Sequence, residues 1–368
     1  MPKKKLLLIG IVMHCAGTEK SFLSFASHLD YEAYDVTLLL AKKEGFLIDQ
    51  IPPQIRVIEM EKYGEMFLLS GANAARTIWN SFVRRNPLTL FEVFPYFAGI
   101  LLCPRKKADI ATRMWCHFLQ KFTPPREEYD VAAAYWGDRT MFYLVDRVKA
   151  KKKIAWLHFD YGQPPRDDKL YHRYFAKCDS IVTVSDAIDT SLRAHFPDLA
   201  DRCVMMENIN DPALIRRLAQ NGDTFSDNFD GTRILTIGRI CEQKGLDFAV
   251  EALIRLRRDG KNVRWYILGE GENADIDALR MQAKAGGVES EMIFLGKTVN
   301  PYRYLRDCDL YVQPSRYEGK PITVEEAKML CRPIVACNYL SANEQLHNGD
   351  WGMVVPIGAD GLYEGITK

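Results

Sequence analysis

The side chains with the clearest chemical potential lie in one segment near the C-terminus, residues 315–327, which reads SRYEGKPITVEEA. It follows a short apolar strand predicted at 310–312 and begins a helix predicted to reach about Leu330. Open parallel sheets bind ligands at this kind of transition from strand to helix. Pro321 suits the first helical turn, where its missing N–H is no loss. The segment is therefore predicted to form a ligand-binding turn.

This turn offers two kinds of hydrogen-bonding group. Free backbone N–H groups at the helix start, with Gly319 allowing close approach, favour an anion such as a diphosphate. Glu318 and Glu326 flank the turn, and because carboxylates repel phosphate, their expected partners are hydroxyl groups. Diphosphate and hydroxyls together describe a nucleotide sugar, which is the ligand we expect here.

A second loop, residues 237–245 with the sequence IGRICEQKG, follows the first predicted strand of the C-terminal half. Arg239 and Lys244 could converge on a diphosphate, Arg through its planar fork and Lys as a mobile point charge. There they would stabilise the charge that develops on a leaving nucleotide. It is an equally good interpretation of the sequence that Arg239 and Lys244 are simply solvated cations of a loop.

A third polar group follows the strand predicted at 154–158, which ends in His158 and is followed by Asp160. Polar residues at the carboxyl end of a parallel strand point toward the ligand crevice. A lone histidine at a strand end is more often structural than catalytic. Asp160 is a candidate for the acceptor side.

The Glu-x7-Glu spacing of Glu318 and Glu326 resembles the signature of the retaining GT-B glycosyltransferases, in particular the glycosyltransferase 4 family, glycosyl transferases group 1. The resemblance implies that Glu326 holds the ribose hydroxyls, that Glu318 contacts the transferred sugar, and that His158 positions that sugar. Glu318 and His158 are thus the expected catalytic residues. The resemblance further implies donor binding by Gly17, Arg239, Lys244, Glu318, Gly319, Lys320, Pro321, Ile322 and Glu326.

The sequence departs from the family pattern at several positions. Gly17 resembles the glycine of the family's Gly-Gly-x-Glu turn, but Ala16 replaces one glycine. Lys320 and Pro321 replace a commoner Phe-Gly pair, and Cys331 stands where the family usually has Gly. Lys320 is expected either to add a cation near the phosphates or to be solvated.

Alternating strand and helix patterns predict an α/β protein, and 368 residues with 47% hydrophobic content can supply two cores. By resemblance this is GT-B, two Rossmann-like doubly wound domains facing a central cleft. We expect an N-terminal acceptor-binding domain at 1–207 with a helical, apolar insertion at about 63–127. A linker at 208–232 precedes a C-terminal nucleotide-sugar domain at 233–368, expected to be truncated because related chains continue into a terminal helix.

Composition excludes several other classes of function. The net charge is +1, so nothing global indicates nucleic acid binding. Nine cysteines without a C-x-x-C pair fit reduced thiols and a cytoplasmic protein.

No Asp-x-Asp or His-rich cluster has metal-ligand character, so we expect a metal-independent site with no cofactor besides the donor. No G-x-G-x-x-G follows either first strand, which argues against a nicotinamide dehydrogenase.

Residues 82–107 contain an apolar and aromatic run, 88–102, between Arg84-Arg85 and Arg105-Lys106-Lys107. The run is too short and broken for a membrane span. Basic flanks around such residues fit an interfacial segment attracted to the anionic inner leaflet of a membrane. A buried helical hairpin is an equally good interpretation.

The sequence therefore predicts a retaining glycosyltransferase that moves a sugar from a nucleoside diphosphate, with a UDP-sugar favoured over a GDP-sugar. The expected acceptor is a glycan or lipid-linked glycan in capsular or exopolysaccharide assembly, and the protein is expected to be cytoplasmic or peripheral at the inner membrane face. Two alternatives remain: a non-catalytic scaffold that keeps the fold, and a nucleotide-sugar epimerase.

Overall fold

The computed structural model describes residues 2–14, 16–68, 73–84 and 86–368. Cys15 and Arg85, which entered the sequence predictions, lie outside these described residues. The strands are β1 (Lys4–Gly10), β2 (Tyr34–Leu40), β3 (Arg56–Glu59), β4 (Tyr129–Ala134), β5 (Ala150–Leu157), β6 (Ser180–Thr183), β7 (Cys203–Met205), β8 (Thr232–Ile237), β9 (Val263–Leu268), β10 (Met292–Gly296), β11 (Leu310–Gln313), β12 (Ile334–Cys337) and β13 (Met353–Val355).

Helices connect these parallel strands, as they must when a strand returns in the same direction. They are α1 (Gly17–Ser27), α2 (Ala74–Ile78), α3 (Thr89–Leu102), α4 (Lys107–Leu119), α5 (Asp138–Arg147), α6 (Asp168–Phe175), α7 (Asp186–His195), α8 (Pro212–Ala219), α9 (Leu246–Arg258), α10 (Asn273–Ala285), α11 (Tyr302–Asp307), α12 (Ile322–Met329), α13 (Ala342–Gln345) and α14 (Ala359–Thr367).

The chain divides into two compact units. The first contains the described residues of Met1–His14, Phe25–Thr183 and Asp189–Met206. The second contains those of Cys15–Ser24, Val184–Ile188 and Glu207–Lys368. Two short N-terminal segments therefore group with the C-terminal half of the chain.

The first unit is built on a seven-stranded parallel sheet in the order β3-β2-β1-β4-β5-β6-β7. Its inner strands β1 and β2 contain nearly continuous apolar runs, as expected for strands covered on both faces. Strand β3 was not predicted, because its four residues lie at the sheet edge and none of them is fully buried.

The second unit is built on a six-stranded parallel sheet in the order β10-β9-β8-β11-β12-β13. Successive residues of β9 point to opposite faces: Trp265 packs in one hydrophobic cluster with α9 and α10, and Tyr266 packs in another with α8 and α11. Both sheets thus show the doubly wound order in which the chain reverses direction beside its first strand. The predicted pair of Rossmann-like domains is confirmed.

The insertion expected at about 63–127 contains α2, α3 and α4. Another predicted segment is more structured than its sequence indicated. The segment 208–232, expected to be a linker, contains α8, whose Asp211 side chain caps the helix by accepting from the N–H of Leu214. Ile215 and Ala219 of this helix are buried in the core of the second unit. The amphipathic Pro212–Ala219 sequence explains why this stretch packs instead of extending.

Among the described residues, none of the helices combines the length and the apolarity that crossing a membrane requires.

Candidate functional site

The two predicted loops of the C-terminal half follow neighbouring strands. β8 pairs with β11, and the strand order of the sheet reverses at this pair. Loops at such a reversal diverge and leave a crevice at the carboxyl ends of the strands. The residues after β8, 238–245, and those after β11, 314–321, therefore lie where open α/β sheets bind ligands.

Arg316 ties these loops to each other. Its backbone N–H donates to the carbonyl oxygen of Gln243 at 2.9 Å. Its guanidinium donates to both carboxylate oxygens of Asp247, at 2.7 and 2.6 Å, and lies 4.0 Å from the ring centroid of Phe248. This bidentate, stacked geometry requires an arginine.

Gly245 allows the close approach of the loops. It has φ 61°, and a Cβ added there would lie 2.1 Å from the carbonyl oxygen of Pro314. Both the left-handed backbone and the missing side chain are therefore needed at this position.

Glu318 is the centre of a buried hydrogen-bond network. Its Oε1 accepts from Lys244 Nζ at 2.6 Å, from Ser315 Oγ at 2.6 Å and from Gln313 Nε2 at 3.1 Å. Among the described residues, its Oε2 receives only a 3.4 Å contact from Gln243 Nε2. Glu318 is 7% exposed, so its charge needs these partners. One carboxylate oxygen is saturated, and the other keeps capacity for a further donor.

Tyr311 orients this network from beneath. Its hydroxyl is hydrogen-bonded to Gln313 Oε1 and to Thr323 Oγ1. Burial raises the pKa of Tyr311, so the phenol stays protonated and can donate. Because the Gln313 carbonyl oxygen faces Tyr311, its amide NH₂ is directed toward Ser315 and Glu318.

Glu326, on α12, is 1% exposed. Its Oε1 accepts from Tyr302 Oη at 3.1 Å and from Lys20 Nζ at 2.8 Å, and Lys20 belongs to the segment that groups with the second unit. Its Oε2 is buried and has no hydrogen-bond partner among the described residues. A buried carboxylate oxygen without a donor is costly, which marks this atom as a position for a ligand's hydroxyl group.

The residues between the two glutamates differ from expectation in two respects. Pro321 has φ −64° and lies just before α12 instead of within its first turn. Lys320 is not solvated: its side chain is 9% exposed and pairs with Glu207 and, at 3.6 Å, with Glu344. Both carboxylates are distant from Lys320 in sequence, and they offset the positive charge expected to act on phosphate. Gly319 accepts a hydrogen bond from Ser341 Oγ through its carbonyl oxygen, and Ile322 begins α12.

Arg239 is exposed and has no ion-pair partner among the residues that the structure describes. Gly238 makes room for the neighbouring cation, since a Cβ there would lie 3.1 Å from Lys244 Cε. The loop thus presents one free guanidinium and one ammonium already paired with Glu318. Gly17 begins α1, and a Cβ at Gly17 would lie 3.6 Å from Ile322 Cδ1, which is ordinary contact.

His158 and Asp160 follow β5 in the first unit. The His158 ring lies 4.7 Å from the Tyr135 centroid and is stacked at 6.3 Å on Trp156. Burial lowers the pKa of His158 to about 3, and its Nε2 has no partner among the described residues. The imidazole is therefore neutral at neutral pH.

Asp160 already has a local role. Its Oδ1 accepts from the backbone N–H of Gly162 at 2.8 Å. The guanidinium of Arg166 stabilises the same loop. It donates to the carbonyl oxygens of Asp160, Tyr161, Gln163 and Pro164. Asp160 keeps one carboxylate oxygen for another partner.

Several residues of the network were not predicted. They are Lys20, Gln243, Tyr302, Gln313 and Ser315. The one signal in the sequence was the appearance of polar Gln313 and Ser315 at the end of an apolar strand, where buried polar side chains serve each other or a ligand.

Comparison with known proteins gives this site a context. Residues 231–368 match the family model of glycosyl transferases group 1. An uncharacterized glycosyltransferase of Methanocaldococcus jannaschii is 27% identical over 174 residues, covering 45% of this chain and 42% of that protein. The N-acetylgalactosamine-N,N'-diacetylbacillosaminyl-diphospho-undecaprenol 4-alpha-N-acetylgalactosaminyltransferase of Campylobacter jejuni is 26% identical over 194 residues, covering 52% of this chain and 51% of that protein. The chain thus spans about half the length of these two curated relatives.

The crystal structure of Anabaena HepE in complex with UDP-glucose resembles the whole chain in fold. It has a TM-score of 0.67 at 15% sequence identity, covering 99% of this chain and 89% of that chain. Together, these comparisons show that residues 231–368 are similar to glycosyl transferases group 1 and that the chain has the GT-B fold.

Proposed function

We propose that this chain, with the GT-B fold, is a retaining glycosyltransferase of the glycosyltransferase 4 type. It transfers a sugar from a nucleoside diphosphate, most favourably UDP, to a hydroxyl of a glycan or lipid-linked glycan. The product belongs to a capsular or other cell-surface polysaccharide, and the reaction takes place at the cytoplasmic face of the membrane.

The observation that carries the proposal is the pair of buried glutamates that each keep one carboxylate oxygen able to accept from a further donor. Glu318 Oε2 has only a 3.4 Å contact, and Glu326 Oε2 has no partner among the described residues. Sugar and ribose hydroxyls supply the missing hydrogen bonds. In this proposal Glu326 binds the ribose and Glu318 binds the transferred sugar.

The donor's diphosphate interacts with Arg239, Lys244 and the backbone N–H groups of the turn at 319–322. Lys244 has three N–H donors, so it can keep its bond to Glu318 and still donate to a phosphate oxygen. As the bond between the sugar's anomeric carbon and the diphosphate oxygen breaks, these groups stabilise the negative charge on the departing nucleotide. The acceptor's hydroxyl oxygen then bonds to the anomeric carbon, and its proton passes to the departing diphosphate.

His158 positions the transferred sugar in this proposal. A neutral imidazole whose Nε2 is free can exchange one hydrogen bond with a sugar hydroxyl without bringing a charge. Asp160 is the proposed contact on the acceptor side, and Gly17 lets a backbone amide approach the donor.

Relatives support the choice of substrates. The HepE crystal structure contains UDP-glucose, and the name of the Campylobacter jejuni relative specifies a diphospho-undecaprenol acceptor. Membrane contact through residues 82–107 would bring a lipid-linked acceptor within reach. The eight described cysteines are all free, as is typical of reducing compartments.

A nucleotide-release assay tests the proposal. Purified protein is incubated with UDP-, GDP- and ADP-sugars, with and without a membrane glycolipid extract as acceptor. We expect release from one donor, stimulated by acceptor, and lost in Lys244→Ala and Glu326→Ala but kept in Lys297→Ala, which removes an exposed lysine of the same unit. Donor binding without release would indicate a non-catalytic scaffold, and an epimerised free donor would indicate an epimerase.

A further inference from the structure

Helix α3 carries an apolar ridge on its exposed side. The ridge consists of Leu90, Phe91, Phe94, Phe97 and Leu101, which follow one another at helical spacing. Phe91 is 77% exposed, Phe94 71% and Leu101 80%. Large apolar residues are common singly on protein surfaces, but a contiguous row of five marks an interaction surface.

The inner side of α3 holds the helix in this orientation. Glu92 Oε2 accepts from Lys121 Nζ at 2.7 Å and lies 3.2 Å from His117 Nε2. Val93, next to it, is buried. The helix thus buries Val93 and pairs the partly exposed Glu92 with α4 and Lys121, while its phenylalanines face outward.

A basic cavity of about 380 Å³ lies beside this helix, between α4 and α6. Arg113, His117, Arg173 and Lys177 line it, together with one carboxylate, Asp146. Asp146 Oδ2 already accepts from Tyr174 Oη at 2.7 Å. His117 joins the cavity to α3, because the same ring contacts Glu92 and lies 5.9 Å from the Tyr96 ring centroid.

Two of the cavity's cations form no ion pair within the part of the chain that the structure describes. Arg113 pairs with Asp167, but Arg173 and Lys177 form no ion pair with any residue that the structure describes. Both stand at exposed positions over the Tyr174 ring. A concave site with uncompensated cations favours an anion with several oxygens, such as a phosphate group.

We propose that the ridge and the basic cavity together dock the first unit on an anionic phospholipid bilayer. The ridge enters the boundary between headgroups and acyl chains, and the cavity binds a headgroup phosphate. This inference deepens the membrane contact of the proposed function by naming its apolar anchor and its headgroup site. The cavity lies beside the helix that carries the ridge, because His117 lines the cavity and contacts Glu92 of that helix.

Charge complementarity favours an anionic bilayer over a second copy of this chain. Arg84, Arg105, Lys106 and Lys107, at the two ends of α3, are exposed. Aromatic residues flanked by cations suit the interface of an anionic leaflet, where each Lys or Arg adds attraction. A second copy of this chain would instead bring these like charges toward each other.

The test is sedimentation of the full chain with vesicles of phosphatidylcholine alone or with about 30% phosphatidylglycerol, a fraction chosen to give the anionic surface potential of a cytoplasmic leaflet. We expect binding to the anionic vesicles, weakened by salt. The double variant Phe91→Ser, Phe94→Ser should weaken vesicle binding about 100-fold, because two aromatic rings that would be buried in the bilayer interface are lost. Arg173→Glu with Lys177→Glu should weaken it more than about tenfold. Met281→Ser, which removes an exposed apolar side chain of the second unit, should bind like the wild type.

Each contrary outcome overturns part or all of the inference. The inference is overturned if the protein binds neutral and anionic vesicles equally, or if it binds neither. Size-exclusion chromatography showing a dimer that Phe91→Ser with Phe94→Ser dissociates, without vesicle binding, would mean that the ridge joins two copies. Loss of binding in the presence of glycerol phosphate at low millimolar concentration, with ionic strength held constant, would assign the cavity to a free phosphate compound instead of a lipid. Vesicle binding is measured without donor or acceptor, so its failure is distinguishable from failure of transfer.

Discussion

At the scale of single residues, the central feature of the site is the buried carboxylate of Glu318, whose charge is compensated by hydrogen-bond donors. Three donors hydrogen-bond to Oε1 of Glu318, and they fix the direction in which its Oε2 points. Lys244 is the only cation in that set. Removing it leaves a buried carboxylate without a counter-charge, which affects both stability and ligand binding.

Lys244→Ala should therefore weaken the binding of a nucleoside diphosphate by about 10- to 100-fold, since a hydrogen bond to a charged group contributes about 1.5–3 kcal/mol. It should also lower the unfolding free energy by about 1–3 kcal/mol because Glu318 is left with neutral donors only. Calorimetric titration and urea unfolding measure the two effects. Lys297→Ala is the control, and an equal loss in that variant would show that the effect is not specific to this pair.

His158 predicts a pH dependence of stability. Its pKa is about 3 in the folded protein against 6.5 for the unperturbed group. As pH falls below 6.5 the unfolded chain takes up this proton before the folded chain does, so the stability present above pH 6.5 is lost toward pH 3. The contribution of one group is at most about 1.4 kcal/mol per pH unit.

His158→Gln should reduce the drop in unfolding free energy between pH 7 and pH 5. Urea unfolding at the two pH values measures this drop in the wild type and in the variant. A drop that is the same in both proteins would mean that the folded histidine titrates normally.

At the scale of elements, the end of α12 explains one departure from the family pattern. Cys331 has φ 53°, in the left-handed region. Its N–H donates to the carbonyl of Lys328, and the N–H of Arg332 donates to that of Ala327, so the helix ends in a Schellman motif. Glycine, the residue usual in the family, suits this position better than cysteine.

Cys331→Gly should thus raise the unfolding free energy by about 1 kcal/mol, because it removes the strain of a side chain in left-handed backbone. Thermal unfolding of the two proteins measures the gain. Cys331→Ala serves as the control, because it removes the thiol and keeps the Cβ; an equal gain in that variant would assign the effect to the sulfur.

Gly245→Ala should have the opposite effect on the loop that carries Lys244. A Cβ there collides with the Pro314 carbonyl, so the loops after β8 and β11 must separate. We expect a loss of more than about 2 kcal/mol in unfolding free energy, together with weaker donor binding. Gly260→Ala is the matched control, because Gly260 also has positive φ but nothing lies near an added Cβ. A loss no greater than in the control would contradict the close approach.

At the scale of the whole molecule, the sequence was sufficient to predict two α/β units built on parallel sheets. Buried parallel strands are nearly continuous apolar runs between helical patterns, which makes them readable. β3 was missed because a short, half-exposed edge strand has no such run. Helix α8 was missed because polar, Asp- and Asn-rich residues surround its eight residues and hide the amphipathic pattern.

The site was predictable in its charged residues but not in its network. Glu318, Glu326 and Lys244 stand in recognisable patterns, whereas the contact of Lys244 with Glu318 depends on the pairing of β8 with β11. Lys320 was expected near phosphate or water, but its partner Glu207 is 113 residues away along the chain. Such pairings arise from tertiary structure, which a local pattern does not contain.

The most direct test of the account is calorimetric titration of the wild type and of Glu326→Gln with the donor selected by the release assay. Glu326→Gln keeps the size of the side chain and replaces the free carboxylate oxygen by an amide. We predict that the wild type binds the nucleotide sugar. The variant should bind it more than about tenfold more weakly, since a charged hydrogen-bond acceptor is lost. Thermal unfolding serves to verify that the variant is folded. Equal affinity of the two proteins would contradict the assignment of the ribose to Glu326, and a wild type that binds no nucleotide sugar would contradict the proposed function.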